Sequence, residues 1–272
     1  IIVSILTIVG ILLAGIIICA GVLVVFPDTK IFGISYINTT SKDPETTIVS
    51  EINIGDEYTL EVIAGNYDVK FLPKSNENFT ATLQNNVVGF VKELDYNIDN
   101  DNKKITFTVV EPNGLFLKRE TSLQIGIPQS FLDKKINIIS QTNRGTTYFG
   151  SSDSILRVHN VDASCLNAKG GVKLQYAQIS GDLNIKNVLG RIDVQNEIKG
   201  TVTIDSTMGT YTFGKIKDLV VVAGEGNKNN NPAIILDECN NITWNSESGS
   251  LKVKGFVLGV IKVETKNANF DI

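Results

Sequence analysis

The sequence predicts an all-β fold: a parallel β-solenoid ectodomain on one N-terminal transmembrane α-helix. Three observations predict it. The first is a repeat of Gly, any residue, apolar, polar, apolar: Gly181-Asp182-Leu183-Asn184-Ile185, Gly190-Arg191-Ile192-Asp193-Val194, Gly200-Thr201-Val202-Thr203-Ile204 and Gly209-Thr210-Tyr211-Thr212-Phe213. It returns at Gly249 and Gly259. The alternation has strand period, and glycine marks the turn before each strand. A short strand cannot bury its face alone, so a regular repeat of this kind implies stacking. The second observation is that residues 1–26 contain no charged side chain. The third is the lack of helical periodicity after residue 26.

Residues 1–26, opening at Ile1 and closing at Phe26, are long enough to span a bilayer, which takes about 20 apolar residues as helix. Gly10, Gly15 and Gly21 are compatible with a membrane helix, where glycine is frequent. A cleaved signal peptide would have a charged start, an apolar region of about 7 to 15 residues and a small-residue cleavage site, and neither the length nor the start fits. The expectation is a single-pass membrane protein with its ectodomain extracellular or on the cell surface.

Residues 27–47, with Pro27, Gly33 and Pro44 and a polar cluster from Asn38 to Asp43, read as the exit from the membrane and a linker. Residues 48–130 read as an irregular β-rich part. Tyr58-Thr59-Leu60-Glu61-Val62 and Tyr67-Asp68-Val69-Lys70-Phe71 alternate around Ala64-Gly65-Asn66, a hairpin-like signal. Further strand patterns follow around Phe90, Tyr96 and Phe107, with a polar turn at 99–104.

Residues 131–272 read as the regular solenoid. Strand starts recur every nine or ten residues, so two strands per coil would give coils of about 19 residues. The one long step contains Gly224-Glu225-Gly226-Asn227, and insertions of this kind go to loops on one side of a solenoid. The strand Leu123-Gln124-Ile125-Gly126-Ile127-Pro128, a short link and the Gly-x-apolar-x-apolar strands together resemble the "putative adhesin" family, surface-associated domains similar to autotransporter-adhesin heads. The resemblance runs from Ile52 to Ile272. It implies a parallel β-solenoid and transfers no catalytic residues.

The composition excludes several functions. Net charge is −4 with both signs mixed, whereas a nucleic-acid binder needs a basic face. His159 is the only histidine, so any Ser-His-Asp or Cys-His site would have to use it. Alternation places it on the outside of its strand, and Cys/His zinc chemistry lacks ligands. The run Asp95 to Asp101 resembles the start of a calcium loop, but Asn100 stands at the glycine position and Thr106 at the final glutamate. Strand plus turn fits better. A polysaccharide-degrading solenoid needs clustered carboxylates. The outward positions Lys173, Asp193 and Thr212 on one face and Asn184, Thr203 and Val220 on another supply no such cluster. Cys165 and Cys239 fall more than three coils apart, well beyond the roughly 7 Å between Cα atoms that a disulfide allows, so free buried thiols are expected. Asn38, Asn78 and Asn241 match the N-glycosylation pattern, which matters only in a eukaryotic source.

These readings lead to a membrane-anchored structural or adhesive surface protein with no catalytic, cofactor or metal site. The alternative is a subunit of a surface filament or membrane complex, its N-terminal helix packed in the assembly. A polysaccharide-active enzyme is the third reading. Expected partners are the membrane, through residues 1–26, and other subunits or further copies of the chain; glycan binding is left open. The chain closes on Asn269-Phe270-Asp271-Ile272 in strand-like alternation, so this edge is the expected contact for strand addition.

Overall fold

The computed structural model describes residues 30–31, 34–35, 45–49, 55–75, 77–85, 93–110, 121–165, 171–186, 191–194, 196–206, 208–222 and 231–272. Those residues are almost entirely β, with a single turn of 3-10 helix at Gln129–Phe131. No helix among them is long and apolar enough to cross a membrane. Residues 1–26 lie outside the described residues, as do Asn38 and residues 224–230 of the insertion expected from Gly224 to Pro232, whose last two residues open the strand Asn231–Asn245.

Parallel pairing stacks the strands into three ladders, which the chain visits in the same order on every coil. In ladder A, Leu60, Ile138, Val161, Leu183, Val202, Leu219, Ile242 and Ile261 stand in register. In ladder B the corresponding column is Val69, Thr147, Val172, Ile192, Tyr211, Ile234, Leu251 and Phe270. Ladder C is short: Val158, Ile179, Ile198, Ile216, Cys239 and Val257. The expected coil of two strands is therefore corrected to three. Its length does run near the expected value, 19 residues from Leu183 to Val202 and 17 from Val202 to Leu219. The third strand has one inward residue on many coils, Ile198 or Ile216 for example, so it leaves no alternation to detect. Lys104–Val110 extends ladder A beyond Glu57–Gly65. Ladder A thus runs roughly 40 Å from Ile105 to Ile261 at about 4.8 Å per strand.

The order of coils differs from the order of the chain. Glu57–Gly65 lies between Lys104–Val110 and Lys135–Thr142, and Asp68–Lys74 lies between Thr121–Pro128 and Thr147–Phe149. The first coil in sequence is thus the second in space. Ala64-Gly65-Asn66 does not make the expected hairpin: it turns a corner between ladders, and the two flanking strands each pair with other coils. Antiparallel strands finish this end. Glu93–Asp99 pairs with Lys104–Val110, and Phe79–Asn85 lies between Thr121–Pro128 and Glu45–Val49. Glu45–Val49 begins inside the stretch read as linker, and Lys30–Ile31 pairs there with Ile34–Ser35. The Asp95 to Asp101 run is strand plus turn, with the Asp99 carboxylate accepting from the Asn102 backbone at 3.0 Å.

The core fills the space between ladders. Leu183, Ile185, Ile192, Val194, Val202, Ile204, Tyr211 and Phe213, the inward set expected from alternation, are all buried. Each such aliphatic or aromatic side chain contributes about 1.5–3 kcal/mol on burial. At the antiparallel end Tyr58, Phe79 and Phe131 meet edge to face, with centroids 4.8 to 5.8 Å apart. Cys165 and Cys239 are both buried, as expected.

A column of Asn and Asp side chains holds the corner from ladder C to ladder A. Asn137 donates to Glu57 at 2.9 Å, and Asn160 donates to Asn137 at 2.9 Å. Asn160 Oδ1 accepts the backbone N–H of Asp182, and Asp182 Oδ1 accepts that of Thr201, both at 2.8 Å. Asn241 repeats the device three coils beyond Asp182, donating to Asp218 at 2.7 Å and accepting from the Val260 N–H at 3.0 Å. The side-chain oxygen thus supplies the acceptor that a bent backbone would leave missing. It also explains the glycines. A Cβ on Gly181 would stand 2.2 Å from Asn160 Oδ1, and one on Gly200 would stand 2.4 Å from Asp182 Oδ1.

Candidate functional site

Alternation sends every second strand residue outward, and parallel register aligns those residues into columns. On ladder B the outward column is Gln124, Lys70, Tyr148, Lys173, Asp193 and Thr212. On ladder A it includes Asp162, Asn184, Thr203 and Val220. Both columns contain the outward residues expected from sequence, in the same order.

One cleft opens beside the ladder B column and another along ladder C. The first lies beside ladder B and encloses about 510 Å³. Tyr148 sits at its centre. Lys173 Nζ lies over the ring at 5.0 Å from the centroid, and Lys70 Nζ lies at 5.9 Å, from the coil on the other side. The opposite wall is the loop Gly150-Ser151-Ser152, folded back by reciprocal backbone bonds between Ser151 and Ser154, with Gln175 and Tyr176. Gly150 sits at φ +74, and a Cβ there would meet the Tyr176 carbonyl oxygen at 2.4 Å. Only glycine permits that approach. In the sequence Tyr148 gives no signal of its own, because an aromatic in a strand is ordinary. The loop that makes it part of a cleft carries no alternation.

The second cleft, about 500 Å³, lies along ladder C below the turn at Asp133 to Lys135. Both signs of charge line it: Arg157, Lys135 and Lys199 against Asp133 and Glu197. His159 stands on its wall, half-buried at the corner into ladder A, where its Nδ1 meets Ser180 Oγ at 3.1 Å. The Ser180 hydroxyl also reaches the Val158 carbonyl, at 3.3 Å. Nearby, the hydrogen bond from the Asn137 amide, with the charge of Lys135, holds the Glu57 carboxyl below its usual range despite some desolvation.

The remaining sequence candidates do not gather into a site. Asp182 is bonded to the Thr201 backbone, and Asp193 faces Arg191 at 3.6 Å. Among the described residues, no group of three His, Cys, Asp or Glu side chains could hold a metal ion. Asn78 is exposed ahead of Phe79–Asn85. Asn241 is a different case, because a sugar on its amide nitrogen would displace the bond to Asp218. At the expected contact edge, Asp271 pairs with Lys252 at 2.8 Å and Phe270 packs on Trp244 at 5.3 Å, while Asn269 and Ile272 are exposed.

No protein-family model and no curated protein matches the chain. Among solved structures, a putative cell adhesion protein from Clostridium sporogenes is similar at 10% identity and TM-score 0.33, covering 84% of this chain and 99% of that one. A putative adhesin from Bacteroides fragilis is similar at 9% identity and TM-score 0.36, covering 85% and 98%. A putative lipid binding protein from Parabacteroides distasonis is similar at 10% identity and TM-score 0.27, covering 87% and 99%.

Proposed function

We propose that this chain is a membrane-anchored, cell-surface β-solenoid that acts as a structural or adhesive protein rather than an enzyme. The observation that carries this reading is the pair of outward columns, which run coil after coil over a continuous apolar core. Such a stack is a stiff presenting surface. The uncharged 1–26 stretch would anchor it as a single-pass helix with the coils outside.

The test is fractionation and protease shaving of intact cells. The full chain should sediment with membranes and lose its coils to external protease, and a chain lacking residues 1–26 should be soluble and folded. Recovery of the full chain in the soluble fraction would overturn the anchor. A second reading, a subunit of a surface filament or membrane complex, draws on exposed Phe256, Leu258 and Val260 next to the Asn269 to Ile272 edge. Native particle mass in mild detergent separates the two readings, because only the second requires an assembly.

A further inference from the structure

We propose that the cleft around Tyr148 binds an anionic sugar unit of a polysaccharide. This deepens the adhesive reading by naming a ligand class, and it rests on that reading only for where the sugar is met. Lys70 and Lys173 approach one ring from neighbouring coils, at 5.9 and 5.0 Å from its centroid. Among the described residues, no carboxylate lines the cleft and neither ammonium is paired with a carboxylate within 4 Å. Two like charges that flank one ring in a cleft give that cleft a positive potential, which favours an anion. Lysine is a point charge, so carboxylate and phosphate ester are both suited to it.

The rest of the cleft selects what carries the anion. Its other polar groups are neutral: Gln124, Gln175, Ser151 and Ser152 offer amides and hydroxyls. Such groups match a ligand rich in hydroxyls, while Leu72 and Tyr176 give apolar surface to the C–H faces of a sugar ring. Convergent polar groups in a partly apolar cleft of this volume are characteristic of ligand sites. An acidic peptide fits less well. The strand of Tyr148 is paired on both sides, so no free edge is open to an added strand.

The experiment is calorimetric titration of the full chain in detergent with trigalacturonate, a trisaccharide bearing a phosphate ester, maltotriose, triglutamate and inorganic phosphate. At least one anionic trisaccharide should bind at least about tenfold more tightly than maltotriose, triglutamate or phosphate. Lys70→Gln with Lys173→Gln should weaken it by at least about tenfold, the scale of lost charge-assisted hydrogen bonds. Tyr148→Ala should weaken it similarly. Lys215→Gln with Lys252→Gln, far along the stack, should leave it unchanged. Which trisaccharide binds identifies the anion. The proposal is overturned if neither binds, if triglutamate or free phosphate binds as well, or if the distant lysine pair matters equally. Binding in detergent does not depend on anchoring, so a soluble chain that still binds would overturn only the anchor.

Discussion

Asn160 reaches across one coil and accepts the backbone N–H of Asp182 at 2.8 Å. The same side chain donates to Asn137 on the preceding coil at 2.9 Å. Three coils are thus tied at one corner by a residue that looks, in the sequence, like a surface asparagine.

The first prediction concerns that tie. Asn160→Ala removes a donor and an acceptor and should cost about 1–3 kcal/mol in urea unfolding. Gly181→Ala should also destabilise, since its Cβ would stand 2.2 Å from Asn160 Oδ1 and 2.8 Å from the His159 carbonyl oxygen. In the double variant the first clash is gone and the second remains. The two costs should therefore add to less than their sum, as expected for residues in contact. Strict additivity would mean that the two do not touch.

The second prediction separates inside from outside on one strand. Ile204 is buried and Thr203 faces out beside Asn184 and Val220. Ile204→Asp should cost more than about 4 kcal/mol, because it buries an unpaired charge. Thr203→Asp should stay within about 0.5 kcal/mol. Thermal melts of the two variants check both values, and equal melting temperatures would reverse the assignment.

The ease of that second assignment shows what the sequence made legible. Period-two alternation reports which face a residue takes, so the inward set and the outward columns of ladders A and B could be read directly. It reports nothing about which strands are neighbours. That is why Glu57–Gly65 was placed in an irregular part although it is stacked between two later strands. A corner between ladders and a hairpin both use glycine and asparagine, so Ala64-Gly65-Asn66 read as the wrong one. The abundance of asparagine carried a signal at coil spacing, at Asn137, Asn160 and Asp182, which only register turns into a column. The cleft at Tyr148 depends on a loop meeting a ladder, and no local pattern encodes that meeting.

The third prediction is alkaline loss of stability. Burial pushes the Cys239 thiol up to about 11 and the Tyr211 phenol up to about 12, and raises Tyr58 as well. A group whose folded pKa is raised favours the protonated folded state. Its contribution is complete below the unfolded pKa, near 8.5 for Cys and about 10 for Tyr, and is lost as pH rises towards the folded value. Unfolding free energy should therefore hold between about pH 6 and 8 with respect to these groups and fall above about pH 9. Cys239→Ala should remove the first part of that fall in urea titrations from pH 7 to 11.

The fourth prediction is a gain. Tyr58 is buried at the antiparallel end, its ring edge-on to Phe79 and Phe131, and its hydroxyl has no hydrogen-bond partner among the described residues. A buried hydroxyl without a partner costs roughly 1–3 kcal/mol relative to water. Tyr58→Phe keeps the ring contacts and removes the hydroxyl, so it should raise stability by about 1 kcal/mol. It should also flatten the alkaline limb, because a group that resists ionisation in the folded state is gone. Tyr211→Phe is the contrasting case. Its hydroxyl donates to the Met208 carbonyl at 3.0 Å, so the same change there should destabilise by about 1 kcal/mol. Urea unfolding of both variants at pH 7 and pH 10 reads the two signs together. A loss of stability on Tyr58→Phe would show that the hydroxyl is bonded in the folded protein, and the raised phenol would then need a cause other than burial alone.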